Sequence, residues 1–564
     1  MEKSTKISER EKIEPAAGNV KVLMRALSSL PGKEALDRIL GFGKPQEVVQ
    51  SLSAEDLYWL VKKIGEDDSL TLLALASDDQ WQFLIDVEIW RKDRVDGNHA
   101  ARWLTRLNRA DSKRLVEWLW KENEDLAAFY LFHNIEVIPK PSDESFDIPE
   151  GFFTLDGSFF IRVLHPEYQE TIEAVFREMA FQDFKRYQDL LSTFAYVLPS
   201  QIEEEMYRLK NVRLAEHGFL PYEDALSIYA PLSSEKFLIE QPIDFKSLSA
   251  SRLPVTVPVL PFSNTIAETT FTEALAQVKD PSLQEKMMLE FAGLCNKILS
   301  ADTLVVDSPD VLVKTCRKAA GYINIALEKL CESDISLTGP LLRTHSLVSF
   351  FRVGYGLARK RRHEVARWCP GSWFHSQGLT FAFWDDPWGP TLTGIMKKKP
   401  LFYVREKEEY REFMRLSEVE DCRTVFRRIT VLDRLLKRLT ELHPIDYPVL
   451  HKPALTFQPL LFTWWTRQVL RIDPGFSSVT PEQGKEFFRR VRMPAKNPPY
   501  RMHGFKKAFI NDLLAPAAEF DQESAAILKD TLAHLWQDFH TEYAWIALTD
   551  LDERFSKYIT ISET

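Results

Sequence analysis

Short amphipathic segments follow one another from about residue 20 to 134, with little chain between them. Leu57, Leu60, Val61 and Ile64 recur at helical spacing behind Ser53, with Asp56 three residues on, which predicts a capped helix. Asp78 or Asp79 is expected to cap the next helix, which carries Trp81, Leu84 and Ile85. Asn98 precedes Ala101, Leu104 and Leu107, and Asp111 precedes Leu115, Leu119 and Leu126. Helices of about three turns cannot bury their stripes alone, so the pattern predicts a right-angled or superhelical stack without a strict repeat period.

Beyond this block the pattern changes twice. Residues 136–150, entered at Ile135 and carrying Pro139, Pro141 and Pro149, read as a linker. Phe152–Leu155 and Ser158–Val163, joined by Asp156-Gly157, read as a β-hairpin with a type I′ turn. Helices resume at Pro166. The best-specified one spans 201–217, with Ser200 as N-cap, Glu203 closing a capping box and Gly218 at the C′ position. A short helix follows from Pro221. Residues 231–265 form a Pro- and Ser-rich crossing segment, and 266–300, 308–332 and 340–368 read as long helices. The stretch 379–404 reads as a three-strand meander, and helices return at 406–442, 458–471, 481–491, 505–514 and 523–547. The expected fold is mainly α: stacked short and long helices, superhelical or bundle-like, with two small antiparallel β insertions. The expected divisions are a disordered tail at 1–18, then 19–145, 146–230, the crossing segment 231–265, and 266–564.

The stretch Tyr207-Arg208-Leu209-Lys210-Asn211-Val212-Arg213-Leu214-Ala215-Glu216-His217-Gly218-Phe219, with Tyr222-Glu223-Asp224-Ala225 and Ile228-Tyr229 after it, resembles a hallmark of a bacterial family of unknown function. That likeness extends over most of the chain and implies no activity or site residues. The block 19–145 loosely resembles the cytosolic helical-repeat domain of bacterial magnesium transporters, a likeness of pattern that carries over no residue.

Composition narrows the function classes. The chain has 564 residues, enough for several domains of roughly 150. Its 21 glycines are about half the usual share, which disfavours glycine-lined phosphate folds. A formal charge of −10 argues against bulk nucleic-acid binding. No apolar run approaches the roughly 18 residues of a membrane span, and Met1–Glu14 lacks the apolar core of a signal peptide. Five cysteines without C-x-x-C spacing read as reduced thiols, so a cytoplasmic location is expected.

No motif carries a specific chemistry. Neither phosphate-loop signature is present, and no His/Cys cluster has ligand spacing, so no cofactor and no metal is expected. The densest set of reactive and aromatic residues is 368–389, where His375 with Asp385 or Asp386 are weak candidates for acid–base work. Packing explains the same residues: tryptophans anchoring a loop and an Asp-Asp-Pro turn. Two basic stretches stand out, 343–367 and 489–507. The second offers Arg489, Arg490, Arg492, Lys496 and Arg501 beside Tyr500 and Phe505 as a polyanion grip. Its bland counterpart is a solvated loop.

These readings rank as follows. An interaction, scaffold or regulatory helical protein without catalytic activity comes first, with another protein as partner. An enzyme with its site near 368–389 comes second. A polyanion or nucleic-acid binder through the basic stretches comes third.

Overall fold

The computed structural model describes residues 23–24, 26–27, 29–91, 93–140, 150–193, 199–239, 269–304, 306, 308–332, 334–450, 452, 455–495, 497–551 and 557–562. The fold is mainly α, and the described strands form three two-stranded antiparallel sheets, one more than expected. The chain divides into two compact units, Met1–Val353 and Gly354–Thr564.

The first unit opens with α1 (Gly32–Leu40), α2 (Pro45–Gln50), α3 (Ala54–Ile64), α4 (Leu70–Leu75) and α5 (Asp78–Glu88). The strands β1 (Trp90–Arg91) and β2 (Arg94–Val95) follow, then α6 (Gly97–Ala110), α7 (Ser112–Glu122) and α8 (Glu124–Asn134). Each early helix packs on the next but one: α1 on α3, α2 on α4, α3 on α5 and α4 on α6. Short helices therefore cover one another's apolar stripes in alternation, as their length requires. Ser53 caps α3 through Asp56 N, and Asp111 caps α7 through Arg114 N. Two caps fall one or two residues earlier than expected. Ser77, with Gln80 closing a capping box, caps α5, and Asp96 caps α6. In each case an extended residue one step further upstream already has the backbone geometry a cap needs.

A buried ionic cluster joins these helices. Lys62 on α3 reaches Glu88 on α5 at 2.8 Å and Glu66 at 2.5 Å. Glu88 also accepts from Tyr58 Oη at 2.7 Å and Trp103 Nε1 at 3.2 Å, and Arg106 holds Glu66 at 2.7 Å. A lysine this deep is tolerable because every charge around it is paired and hydrogen-bonded.

Residues 135–139 are β3 (Ile135–Pro139), paired with β4 (Phe159–Val163) in the register Ile135↔Val163, where the sequence pattern predicted linker. Ile135, Val137 and Ile138 are β-branched and suit a strand, a preference that the nearby prolines mask. The expected hairpin is reduced to one bridge, Phe153↔Ile161. A turn remains there, but not the expected type I′ one: Gly157 has φ +67°, Asp156 does not take a positive φ, and its Oδ1 accepts from Ser158 N and Phe159 N. Next come α9 (Gln169–Gln182), α10 (Phe184–Thr193), α11 (Pro199–Glu216), α12 (Tyr222–Ala225) and α13 (Ser234–Ile239). Most of the crossing segment and the side chain of Ser200 lie outside the described residues. The expected 266–300 helix is broken at Asp280-Pro281 into α14 (Thr270–Gln277) and α15 (Pro281–Asp302), because Pro281 starts a helix better than it continues one. Then come α16 (Pro309–Cys331), α17 (Thr338–Thr344) and α18 (Leu347–Trp368), whose residues from Gly354 on belong to the second unit.

The stretch 207–218 ties α11 to α5 and, through the two residues after its end, to α15. Tyr207 and Lys210 meet Trp90, with the Lys210 ammonium 4.8 Å from the indole centroid. Arg213 grips Asp86 with two hydrogen bonds of 2.6 and 2.8 Å. His217 Nδ1 lies 2.7 Å from Glu55, and its carbonyl accepts from Asn296 Nδ2 at 2.7 Å. Gly218 has φ +81° and lies so near Gly293 of α15 that a Cβ would stand 2.6 Å from its Cα. Glu203, expected to close a capping box, instead accepts from Val95 N at 2.8 Å and so ties α11 to β2.

In the second unit α19 (Trp373–Ser376) and α20 (Trp388–Met396) precede β5 (Phe402–Val404) and β6 (Glu409–Arg411). The unit is completed by α21 (Leu416–Leu442), α22 (Tyr447–Leu450), α23 (Phe457–Leu470), α24 (Pro481–Val491), α25 (Lys506–Leu514) and α26 (Gln522–Tyr543). The expected meander at 379–404 is not present. Trp388, Leu392 and Ile395 fall at i, i+4 and i+7 and are buried by α20, and only β5 of that stretch is a strand. The core is aromatic: Phe462 stacks on Phe509 at 4.8 Å and on Phe539 at 4.5 Å. Trp465 meets Phe487, Phe509 and Trp536 edge-on and donates to Asp512 at 3.0 Å.

Two positive-φ glycines separate strain from crowding. Gly157→Ala, with open space around its Cβ, is expected to cost about 1 kcal/mol. Gly218→Ala, which meets backbone, is expected to exceed that by at least ~1 kcal/mol in urea unfolding. Equal losses would refute the close approach as a constraint. Burial pulls the His217 imidazole down, but the hydrogen bond and charge of Glu55, with Glu216 and Asp86, outweigh it and raise its pKa. Its stabilising contribution is therefore complete below pH ~6.5 and fades as pH rises through the elevated folded value. The stability difference between wild type and His217→Gln should shrink with rising pH above that point. A constant difference would contradict the charged pair.

Candidate functional site

A cleft of about 530 Å³ opens in the second unit between α21 and α26, within the usual range for small-molecule sites. One wall is the face of α21 carrying Asp421, Thr424, Val425 and Arg428. The other is the face of α26 carrying His534, Leu535, Asp538, Thr541 and Glu542. Both sets follow the spacing of a single helical face. The floor is aromatic, made by Trp384, Trp388, Phe457 and Tyr558, with Trp388 and Phe457 stacked at 5.2 Å.

The segment 381–388 is shaped to form this floor. Asp385 takes φ +55°, and its carbonyl accepts from Gly389 N at 2.7 Å. The backbone there is so tight that a Cβ on Gly389 would lie 2.3 Å from Phe381 O. Upstream, the buried Asp433 carboxylate accepts from Trp373 N and Phe374 N, both at 2.9 Å, fixing the start of α19. Burial raises the pKa of Asp433 despite those two hydrogen bonds.

Charges at the cleft are largely paired. Asp386 accepts from Tyr403 Oη at 2.9 Å and Arg405 Nε at 3.1 Å. Burial and the Asp386 carboxylate push the Tyr403 hydroxyl up to about 12, so it stays a donor at neutral pH. Arg428 holds Asp530 at 2.9 Å, and His534 lies 3.7 Å from Asp538. Partial burial and the charge of Glu418 raise the Asp421 carboxyl. Two buried atoms of lining residues lack a protein partner: Trp384 Nε1 and Gln458 Oε1. The other end of the Gln458 amide, Nε2, donates to Asp385 Oδ2 at 3.0 Å.

Of the candidates read from the sequence, Asp386 lines the cleft, Asp385 stands behind Gln458, and His375 is exposed on α19 and does not line it. No hydrogen bond or ion pair among the described residues joins His375 to either aspartate. Arg489 and Arg490 are exposed, and both lie against Glu486. Arg492 is partly buried, donates to Tyr543 O at 2.8 Å and lies over the rings of Phe488 and Tyr500. Arg501 is exposed, and Lys496 lies outside the described residues. In the first basic stretch Arg352 donates to Ala230 O, Arg361 pairs with Glu364 and Arg362 donates to Lys397 O.

Sequence reasoning missed both long walls. Asp421, Thr424, Val425 and Arg428, like His534, Asp538 and Glu542, announce polar helical faces, and such faces are indistinguishable from solvated ones until a partner face is opposite. Among the described residues no cluster of three or more His, Cys, Asp or Glu is placed to hold a metal ion. No described helix is long and apolar enough to cross a membrane.

The fold and this cleft define a mainly α, two-unit protein with a mixed-charge aromatic cleft in its second unit. The chain belongs to a family of unknown function, DUF6178, whose family model matches residues 14–562. No curated protein and no solved structure matches it.

Arg492 is thus expected to act on stability. Arg492→Ala should lower the urea-unfolding stability by ~1–3 kcal/mol, whereas Arg490→Ala should stay within ~0.5 kcal/mol. The reverse order would show that the exposed arginine carries the structural role.

Proposed function

We propose that this protein is a helical binding protein that works by holding a small ligand in the cleft between α21 and α26. One observation carries the reading: a cleft of ligand size with an aromatic floor, Trp384, Trp388, Phe457 and Tyr558, between two walls that carry charged groups of both signs. Binding is favoured over turnover because Asp386 and Arg428 are already held by neighbours, and among the described residues no serine or cysteine lines the cleft. The interaction reading from the sequence is kept in this narrower form, with a regulatory or scaffolding role downstream of the ligand. Free cysteines, including Cys295 and Cys316 with Sγ atoms 3.8 Å apart, support a reducing, cytoplasmic setting.

A thermal-shift screen of the full chain against small metabolites tests this. A ligand at about 100 times its Kd adds ~2.7 kcal/mol, a rise of several degrees. The rise should vanish in Thr424→Trp, which fills the cleft from its exposed wall, and persist in Arg423→Ala on the same helix. A rise that survives Thr424→Trp, or none in any metabolite class, would overturn the reading.

A further inference from the structure

The acidic balance of the chain is not shared by its two units. Residues 1–353 hold 40 Lys and Arg against 55 Asp and Glu, whereas residues 354–564 hold 32 against 27. The second unit is therefore basic, and part of its surplus gathers at the end of α18. There the solvent side of the helix carries Arg359, Lys360, Arg362, His363 and Arg367. Glu364, the one acid of α18, pairs with the buried Arg361 at 3.0 Å. Arg362 Nε donates to Lys397 O at 3.1 Å, which brings the exposed Lys397 and Lys398 beside the same face. The helix dipole accounts for Arg367 in the last turn, but Arg359, Lys360 and Arg362 stand outside that turn. Cations three residues apart on one face weaken a helix, so folding does not call for this arrangement.

The shape of the face narrows its occupant. At 100° per residue these side chains spread over about 160° of the helix circumference, from Arg362 to Lys360. A flat bilayer reaches only part of such an arc. The exposed large apolar residues described in this unit, Leu442, Met493 and Trp545, belong to neither segment, so no apolar anchor accompanies the cations. A protein interface needs an apolar core, which is missing here for the same reason. A convex ridge with cations on both flanks suits the major groove of duplex DNA, about 12 Å wide, where a phosphate chain runs along each side.

We propose that this face of α18, with Lys397 and Lys398, binds double-stranded DNA through its phosphates. The surface shares no residue with the lining of the cleft, so its failure leaves the cleft reading untouched. Fluorescence anisotropy of the full chain with a labelled duplex of mixed sequence tests it. Affinity should fall ~100-fold between about 50 and about 200 mM salt, as about four phosphate contacts require. Lys360→Glu and Lys398→Glu, both at exposed positions, should each weaken binding ~10-fold. Lys529→Glu, the same change in net charge at an exposed position of α26, should stay within ~2-fold. Unchanged binding in the first two variants, or an equal loss in the third, would overturn the assigned surface. Tighter binding of a single strand of the same sequence would overturn the duplex as its occupant. Capture by phosphatidylserine vesicles without DNA binding would overturn it in favour of a membrane. No binding of the duplex at low salt would overturn the proposal outright.

Discussion

The first unit depends on a place where two backbones nearly touch. Gly218 ends α11 in a left-handed conformation against Gly293 of α15, and a methyl group on Gly218 would overlap that helix. Only glycine meets both demands at position 218, the positive φ and the missing Cβ. Once this contact is made, the direction of α11 is settled. Arg213 then meets Asp86, His217 meets Glu55, and Lys210 comes to rest between Trp90 and Tyr207. The stretch 207–219 is thus in part an assembly surface. Lys210, Arg213 and His217 turn to other elements, whereas Arg208 and Glu216 remain exposed.

The buried Lys62 cluster works by the same logic. Placing an ammonium where water does not reach is costly, and two carboxylates with hydrogen bonds from Tyr58, Trp103 and Arg106 offset that cost. The cluster constrains geometry more than it adds stability, because α3, α5 and α6 must all be in place for every charge to have its partner. Burial also draws Lys210 down to about 8, so its charge is retained only near and below neutrality.

Much of the helical architecture was legible in the residues. Caps at Ser53 and Asp111, the boundaries of α24 and the start of α26 follow from local chemistry that acts within one turn, whereas α26 ends at Tyr543, four residues before the expected end. The failures have a common origin. The 388–396 segment mixes glycine and threonine with apolar residues, and its 3.6-residue period lies beneath a superficial alternation. The β3–β4 pairing joins residues on either side of the proline-rich stretch, which no local signal reports. At the cleft, Asp386 was among the candidates because it lies in the densest run of reactive and aromatic residues, 368–389. Its partners on α21 and α26 were not, because opposed helical faces are a tertiary fact. His375 drew notice by proximity in sequence, but its position on α19 leaves it exposed.

The two cleft walls are also joined away from the cleft. Arg427 pairs with Glu523, Arg434 with Asp521 and Arg438 with Glu519, so partners descend along one segment as they ascend along the other. Exposed pairs of this kind add little stability singly. Together they behave as the teeth of a rack. A slip of one helical turn, ~5.4 Å, would unseat all of them at once, so intermediate displacements have no favourable stop. The axial register of the two walls is therefore set in discrete steps, which decides which residues of α21 and α26 stand opposite one another across the cleft.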